Sequence, residues 1–512
     1  MLFAGVTVDP TFVVGPVRRQ TFGSFVEHLG RCVYTGLHDP GHPTADADGF
    51  RADVVDLVRE LGVSTVRYPG GNFVSGYRWE DGVGPRAARP ARLDLAWHST
   101  EPNTVGVDEF VRWARRTGVT PMMAVNLGTR GIQEALDLLE YCNVRSGTAL
   151  SDLRRANGAE EPHGIRMWCL GNEMDGPWQI GHKTALEYGR LAAETARAMR
   201  QIQPDLELVA CGSSGSGMPT FGEWERVVLG ETYDVVDLIS AHAYYCEEDG
   251  DLASFLASAV DMDHFIESVV ATADAVRAAR KTAKRINLSF DEWNVWYVNR
   301  AESRPPTGDD WPVAPVLLED RYNVADAVVV GNLLISLLRH TDRVHAASLA
   351  QLVNVIAPIM TEPGGRSWRQ TTFHPFALTA RHAAGEVLRV AIDAPAHDTA
   401  RFGDVPAVDA VATYDPESGG LVLFAVNRST SEPVGLTVRL RGFPDLRTVE
   451  ALTLSNPDHT WSATADDATT VLPRANTSVT VADDGVRVDL PPVSWTMLRL
   501  QPASGNSSHD GG

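Results

Sequence analysis

The chain has 512 residues, 44% hydrophobic and 22% charged, which is ordinary globular material and enough for one large domain with a smaller one. Its formal charge of -21 and pI near 5.1 give an acidic surface that repels phosphate backbones and anionic membranes, so nucleic acid is excluded as a partner. No apolar run approaches the roughly 20 residues of a membrane helix, residues 1–20 lack a secretory-signal pattern, and the five cysteines are scattered without a Cys-x-x-Cys pair. Together these features read as a reduced, cytoplasmic protein.

In chain order, the run 4–14 has strand character and is assigned, as a segment 1–18, to a sheet formed later in the chain. Strand-like runs then follow at 22–26, 64–68, 121–125, 165–170, 207–211, 236–241, 286–290 and 346–353. Between and after them, apolar residues recur at helical spacing over 52–61, 107–117, 183–202, 264–280, 323–340 and 375–388. Eight strands alternating with helices predict a closed (β/α)8 TIM barrel over 19–385. The irregular stretch 299–319, rich in proline and carrying Trp311, is long for a compact domain and is a candidate lid. Short alternating runs at 420–426, 434–440 and 495–500 predict a C-terminal antiparallel β-sandwich of jelly-roll type over 386–502. The tail 503–512 has too little apolar surface to bury and is expected to be disordered.

Two glutamates stand at the ends of such runs. Glu173 lies in Gly171-Asn172-Glu173 and Glu292 in Asp291-Glu292-Trp293-Asn294. A barrel offers its catalytic side chains from strand ends, and two carboxylates in one pocket are the minimum for cleaving a glycosidic bond, one protonated and one ionised. Singly, Glu173 reads equally well as a helix cap and Glu292 as an ion-pair partner. Their shared setting, each beside asparagine and tryptophan, favours the catalytic pair.

The segment 168–183, Trp-Cys-Leu-Gly-Asn-Glu-Met-Asp-Gly-Pro-Trp-Gln-Ile-Gly-His-Lys, closely resembles glycoside hydrolase family 51, the α-L-arabinofuranosidases. The segments 67–73, 93–97 and 291–296 resemble the same family. The resemblance implies a retaining exo-acting enzyme that removes terminal arabinofuranosyl groups from arabinan- and arabinoxylan-derived oligosaccharides. Glu173 would be the acid/base and Glu292 the nucleophile. Asn172 would bind the sugar 2-hydroxyl, Tyr244 would hydrogen-bond the nucleophile, and Arg67 would keep it ionised. Glu27, Asn72 and Gln351 would hold furanose hydroxyls, with Trp97 and Trp178 as apolar walls and His242 as a hydrogen-bonding neighbour. The family also implies a homo-oligomer, commonly a hexamer, and a reaction that needs no cofactor and no metal.

Other motifs carry less. His28, His182 and His242 sit in three segments without zinc-ligand spacing. The Gly-Ser run 212–217 fits neither a phosphate loop nor a nucleophile elbow and reads as a flexible loop. Two alternatives stay open: a β-xylosidase-like enzyme on the same barrel, and a carbohydrate-binding protein without catalysis.

Overall fold

The computed structural model describes residues 1–443, 445–482 and 485–503, and the tail beyond 503 lies outside the described residues. Eight parallel strands close into a barrel. They are β1 (Gly23–Phe25), β2 (Thr65–Tyr68), β3 (Thr120–Ala124), β4 (Met167–Leu170), β5 (Glu207–Ala210), β6 (Leu238–Tyr245), β7 (Asn287–Val295) and β8 (Val344–Leu349). Every strand pairs with its sequence neighbours, and β8 closes on β1. Val74, Met122, Ala124, Met167, Cys169, Val209, Leu238 and Ala346 form a separate small apolar cluster, distinct from the main core.

The surrounding helices are α1 (Ala52–Leu61), α2 (Val107–Thr117), α3 (Ile132–Asn143), α4 (Ala185–Ile202), α5 (Glu223–Thr232), α6 (Ala259–Arg280), α7 (Val324–Arg339) and α8 (Phe373–His382). Local chemistry sets several ends. Gly62 and Gly118 close α1 and α2 with φ of +81°, while Thr184 and Glu187 form a capping box on α4. The helical pattern expected over 375–388 ends early, at His382. Gly385, at φ +70°, turns the chain into the strand Glu386–Asp393, so Val387 and Leu388 belong to the sheet.

The C-terminal region builds a ten-stranded, mainly antiparallel sheet and a separate two-stranded one, Ala396–Thr399 with Gly403–Pro406, among the described residues. The N-terminal strand Leu2–Pro16 lies inside the larger sheet, antiparallel to Glu386–Asp393 and parallel to Val434–Leu440. One face packs on itself around Val6, Val8, Leu423, Leu436, Val488 and Leu500. The other face, with Phe424, Val426, Trp495 and Met497, joins the barrel's core. Helix α7 is the element between them. Its run Ala-Val-Val-Val-Gly-Asn-Leu-Leu-Ile-Ser-Leu-Leu is apolar nearly all round, the mark of a helix covered on every side, and all but its last residue are buried.

Candidate active site

The C-terminal ends of the strands open into a cavity of about 510 Å³ lined by Glu27, Asn72, Trp97, Glu173, Trp178, Tyr244, Glu292 and Gln351. Phe25, Leu29, Ser214, Trp296, Ser303, Pro305, Leu318 and Ile356 complete much of the wall. Segment 299–319 therefore does reach the cavity, through Ser303, Pro305 and Leu318. It is pinned to the hairpin after β2: Trp311 stacks on His98 at 3.7 Å, and Thr100 donates its N–H to the Pro312 carbonyl at 3.0 Å.

Glu292 lies within β7 rather than at its end, because that strand runs on to Val295. Pairing with β6 jumps from Ser289 opposite Ser240 to Glu292 opposite His242, three steps on one strand against two on the other. Pairing with β8 shifts between Phe290 and Trp293 as well. Such a bulge re-aims side chains, and here it brings both Asp291 and Glu292 towards Arg67. Arg67 Nη1 donates to Glu292 Oε1 at 2.7 Å, and its Nη2 to Asn172 Oδ1 at 2.5 Å. Its Nε lies 3.8 Å from Asp291 Oδ2. Tyr244 donates its hydroxyl to Glu292 Oε2 at 2.7 Å. Burial works to raise the Glu292 pKa, but the charges of His242 and Arg67 and the Tyr244 hydrogen bond outweigh it and hold the carboxyl below its ordinary value.

Glu173 follows Gly171 and Asn172 in a sharp turn and sits at φ +44°, a left-handed conformation that costs a non-glycine residue about 1 to 2 kcal/mol. It caps no helix, since α4 begins at Ala185 under Thr184. His242 Nδ1 is 2.9 Å from Glu173 Oε1 and 3.7 Å from Glu292 Oε2, so one imidazole stands between the two carboxylates. Burial opposes charge on His242, yet the two glutamates overcome it and raise its pKa. Trp178 donates its indole N–H to Glu173 Oε2 at 2.7 Å. Trp97 likewise donates to Glu27 Oε1 at 2.7 Å, so both tryptophans are hydrogen-bond donors as well as walls.

The rest of the polar lining gathers around Glu27, two residues past β1. Its carboxylate also accepts from the Phe73 N–H at 2.9 Å and from Gln351 Nε2 at 3.1 Å. Burial drives its pKa well upwards against these hydrogen bonds. The loop after β2 passes so close that a Cβ on Gly71 would lie 2.2 Å from this carboxylate, and Gly71 is at φ +60°. Asn172, buried, points Nδ2 towards Asn72 Oδ1 at 3.4 Å and Gln179 Oε1 at 3.5 Å.

Glu173, His242 and Glu292 each offer a ligand-type atom, all within 4.8 Å of one another. Arg67, Tyr244 and Trp178 already hold these carboxylates, and a metal cation there would stand beside a guanidinium; the group is a hydrogen-bonded set. His28 is spent elsewhere, between Glu101 and Tyr68 at 2.8 Å each.

All eleven residues singled out from the sequence converge on this cavity or touch a residue that lines it. Sequence reasoning missed Ser214, Asp175, Gln179, Asp291 and Trp296. Gln179 and Asp175 sit in the long motif around Glu173, and Asp291 and Trp296 in the one around Glu292, so proximity was the available signal. Ser214 carried none, because the loop joining it to the site is set by tertiary contacts.

Two family models match the chain: the α-L-arabinofuranosidase 1 domain over residues 57–265 and the α-L-arabinofuranosidase C-terminal domain over 291–494. The chain is 59% identical to an intracellular exo-α-(1→5)-L-arabinofuranosidase of Streptomyces lividans, over 99% of this chain and 76% of the relative. It is 58% identical to an exo-α-(1→6)-L-arabinofuranosidase of Bifidobacterium longum, covering 97% of each. The solved structure of a family 51 α-L-arabinofuranosidase from Bifidobacterium longum superposes with a TM-score of 0.94 at 50% identity, over 98% of this chain and 100% of that one.

Proposed function

The chain belongs to the α-L-arabinofuranosidases of glycoside hydrolase family 51, and from that membership we propose a retaining double displacement with Glu292 as nucleophile and Glu173 as acid and base. The activity is that of an exo-α-L-arabinofuranosidase. The observation that carries the mechanism is the spacing of the two glutamates. A carboxylate oxygen of each lies within 4.8 Å, which matches the separation of about 5 Å in retaining enzymes; inverting enzymes need roughly 6.5 to 9.5 Å to admit a water.

In the first step Glu292, ionised by Arg67, His242 and Tyr244, attacks the anomeric carbon. The bond to the leaving oxygen breaks as Glu173 gives that oxygen its proton. In the second step Glu173 takes a proton from water, whose oxygen displaces Glu292 and releases arabinose with its original configuration. Glu27, Asn72, Asn172 and Gln351 supply the hydrogen-bonding shell for the furanose hydroxyls, and Trp97 its wall. The substrates are oligosaccharides derived from arabinan and arabinoxylan. Relatives of near-equal identity are named for 1→5 and for 1→6 linkages, so linkage preference is read by assaying both. The naming of one relative as intracellular and five free cysteines support a cytoplasmic location. Resemblance to the family supports a homohexamer.

Removing each glutamate tests the assignment. Glu292→Ala is expected to lose turnover roughly 10³-fold or more, with azide then producing the inverted arabinosyl azide. Glu173→Ala with azide is expected to give the retained azide. Unchanged turnover in Glu292→Ala, or the same azide anomer from both variants, overturns it.

A further inference from the structure

The Gly-Ser run 212–217 follows β5 and enters the site. It is tied down residue by residue. The Gly212 N–H donates to Ser240 Oγ at 3.0 Å and the Ser213 N–H to Glu225 Oε1 at 2.8 Å, while Ser216 Oγ lies 3.4 Å from each oxygen of Asp261. Ser214, the residue of this run that lines the catalytic cavity, gives both its N–H and its hydroxyl to Asp175 Oδ2, at 3.0 and 3.1 Å.

Asp175 stands two residues after Glu173 and is only 8% exposed; its other oxygen, Oδ1, is buried without a hydrogen-bond partner. A carboxyl group buried with a bare oxygen is costly, and the double displacement itself has no step for a third carboxylate. The charged groups that face it are Glu173 on its own loop and His242 from β6. Burial pushes its pKa up to about 6; the Ser214 N–H and hydroxyl pull it down, the Glu173 charge pushes it up and His242 lowers it. In the first step Glu173 gives its proton to the leaving oxygen. The leaving oxygen must meet that proton, which puts the departing sugar on the side of the cavity formed by Glu173, Trp178 and Ser214.

We propose that Asp175 is a positioning residue of the first step: it fixes Ser214 against the departing sugar. This rests on Glu173 being the general acid, so the two are tested side by side. The measurement is kcat/KM, which reports the glycosylation step, on α-(1→5)-arabinobiose and on 2,4-dinitrophenyl α-L-arabinofuranoside. The sugar leaving group needs a proton; dinitrophenolate leaves without one.

Asp175→Asn is expected to lose about tenfold or more on the disaccharide, the scale of a misplaced contact to a leaving group, and about twofold or less on the aryl substrate. Ser214→Ala, which removes the group that Asp175 holds, is expected to show the same selective loss on the disaccharide. Equal effects of Asp175→Asn on both substrates, whether none or large, overturn the proposal while a selective loss in Glu173→Ala leaves the acid assignment standing. If Glu173→Ala is itself unselective, the acid assignment fails and the proposal with it.

Discussion

At the scale of single residues, the proposed nucleophile depends on groups that act against its burial. Glu292 must be ionised to attack, and burial alone would keep it protonated; His242, Arg67 and the Tyr244 hydroxyl reverse that. Replacing Tyr244 by phenylalanine removes one of the three. A hydrogen bond to a charged group is worth about 1.5 to 3 kcal/mol, so Tyr244→Phe is expected to lower kcat/KM by about tenfold or more. The sign of the pH effect is fixed: Tyr244 lowers the Glu292 pKa, its loss raises it, and the acid limb of the kcat/KM profile moves to higher pH. A limb that stays in place would remove Tyr244 from the ionisation of Glu292. At this scale the sequence was informative about identity and silent about direction. Residue type and position beside an asparagine pointed to Glu173 and Glu292, but nothing in the one-dimensional pattern shows that His242 lies between them or that Trp178 turns its indole N–H onto Glu173.

At the scale of elements, the eight strands were legible as short apolar runs, six of them followed by a helical stripe; the helices after β3 and β5, α3 and α5, were not read from the pattern. The extent of β7 was not. A bulge between Ser289 and Glu292 extends pairing past the carboxylate, and a bulge leaves no mark in hydrophobic alternation. Helix α7 was visible as an apolar run, though its polar exceptions carry a second meaning: Asn332 donates to Asp409 Oδ2 at 2.8 Å, and Arg428 donates to Asn332 Oδ1 at 2.8 Å, so the two residues join the barrel to the sheet. Gly331, in the same helix, is equally specific. A Cβ there would lie 2.2 Å from Cδ1 of Trp495, whose ring is fully buried. Alanine gains about 1 kcal/mol over glycine inside a helix, whereas overpacking a rigid core costs about 1 to 3 kcal/mol. Overpacking wins, and Gly331→Ala is expected to lower the midpoint of thermal unfolding by about 1 to 2 °C in a chain of this length; a midpoint that rises would mean the ring moves aside freely.

At the scale of the whole molecule, the barrel and the C-terminal sheet share one apolar core through α7, and the N-terminal strand is woven into the sheet at the far end of the chain. Alternating texture announced the two layers, but the pairing of the first strand with residues 370 or more positions away is a long-range choice that local pattern carries only as a hint. What this architecture achieves is to hold two carboxylates, one offered just past β4 and one within β7, with one oxygen of each within 4.8 Å of the other, in a cavity of about 510 Å³. Carboxylates this close go with retention of configuration, whereas a wider gap goes with inversion. Proton NMR of an arabinofuranosyl glycoside during its first minutes of hydrolysis, before the free sugar equilibrates, reads the outcome directly. With retention, α-L-arabinofuranose appears first and the β anomer only later; β-L-arabinofuranose as the first product would contradict the double displacement.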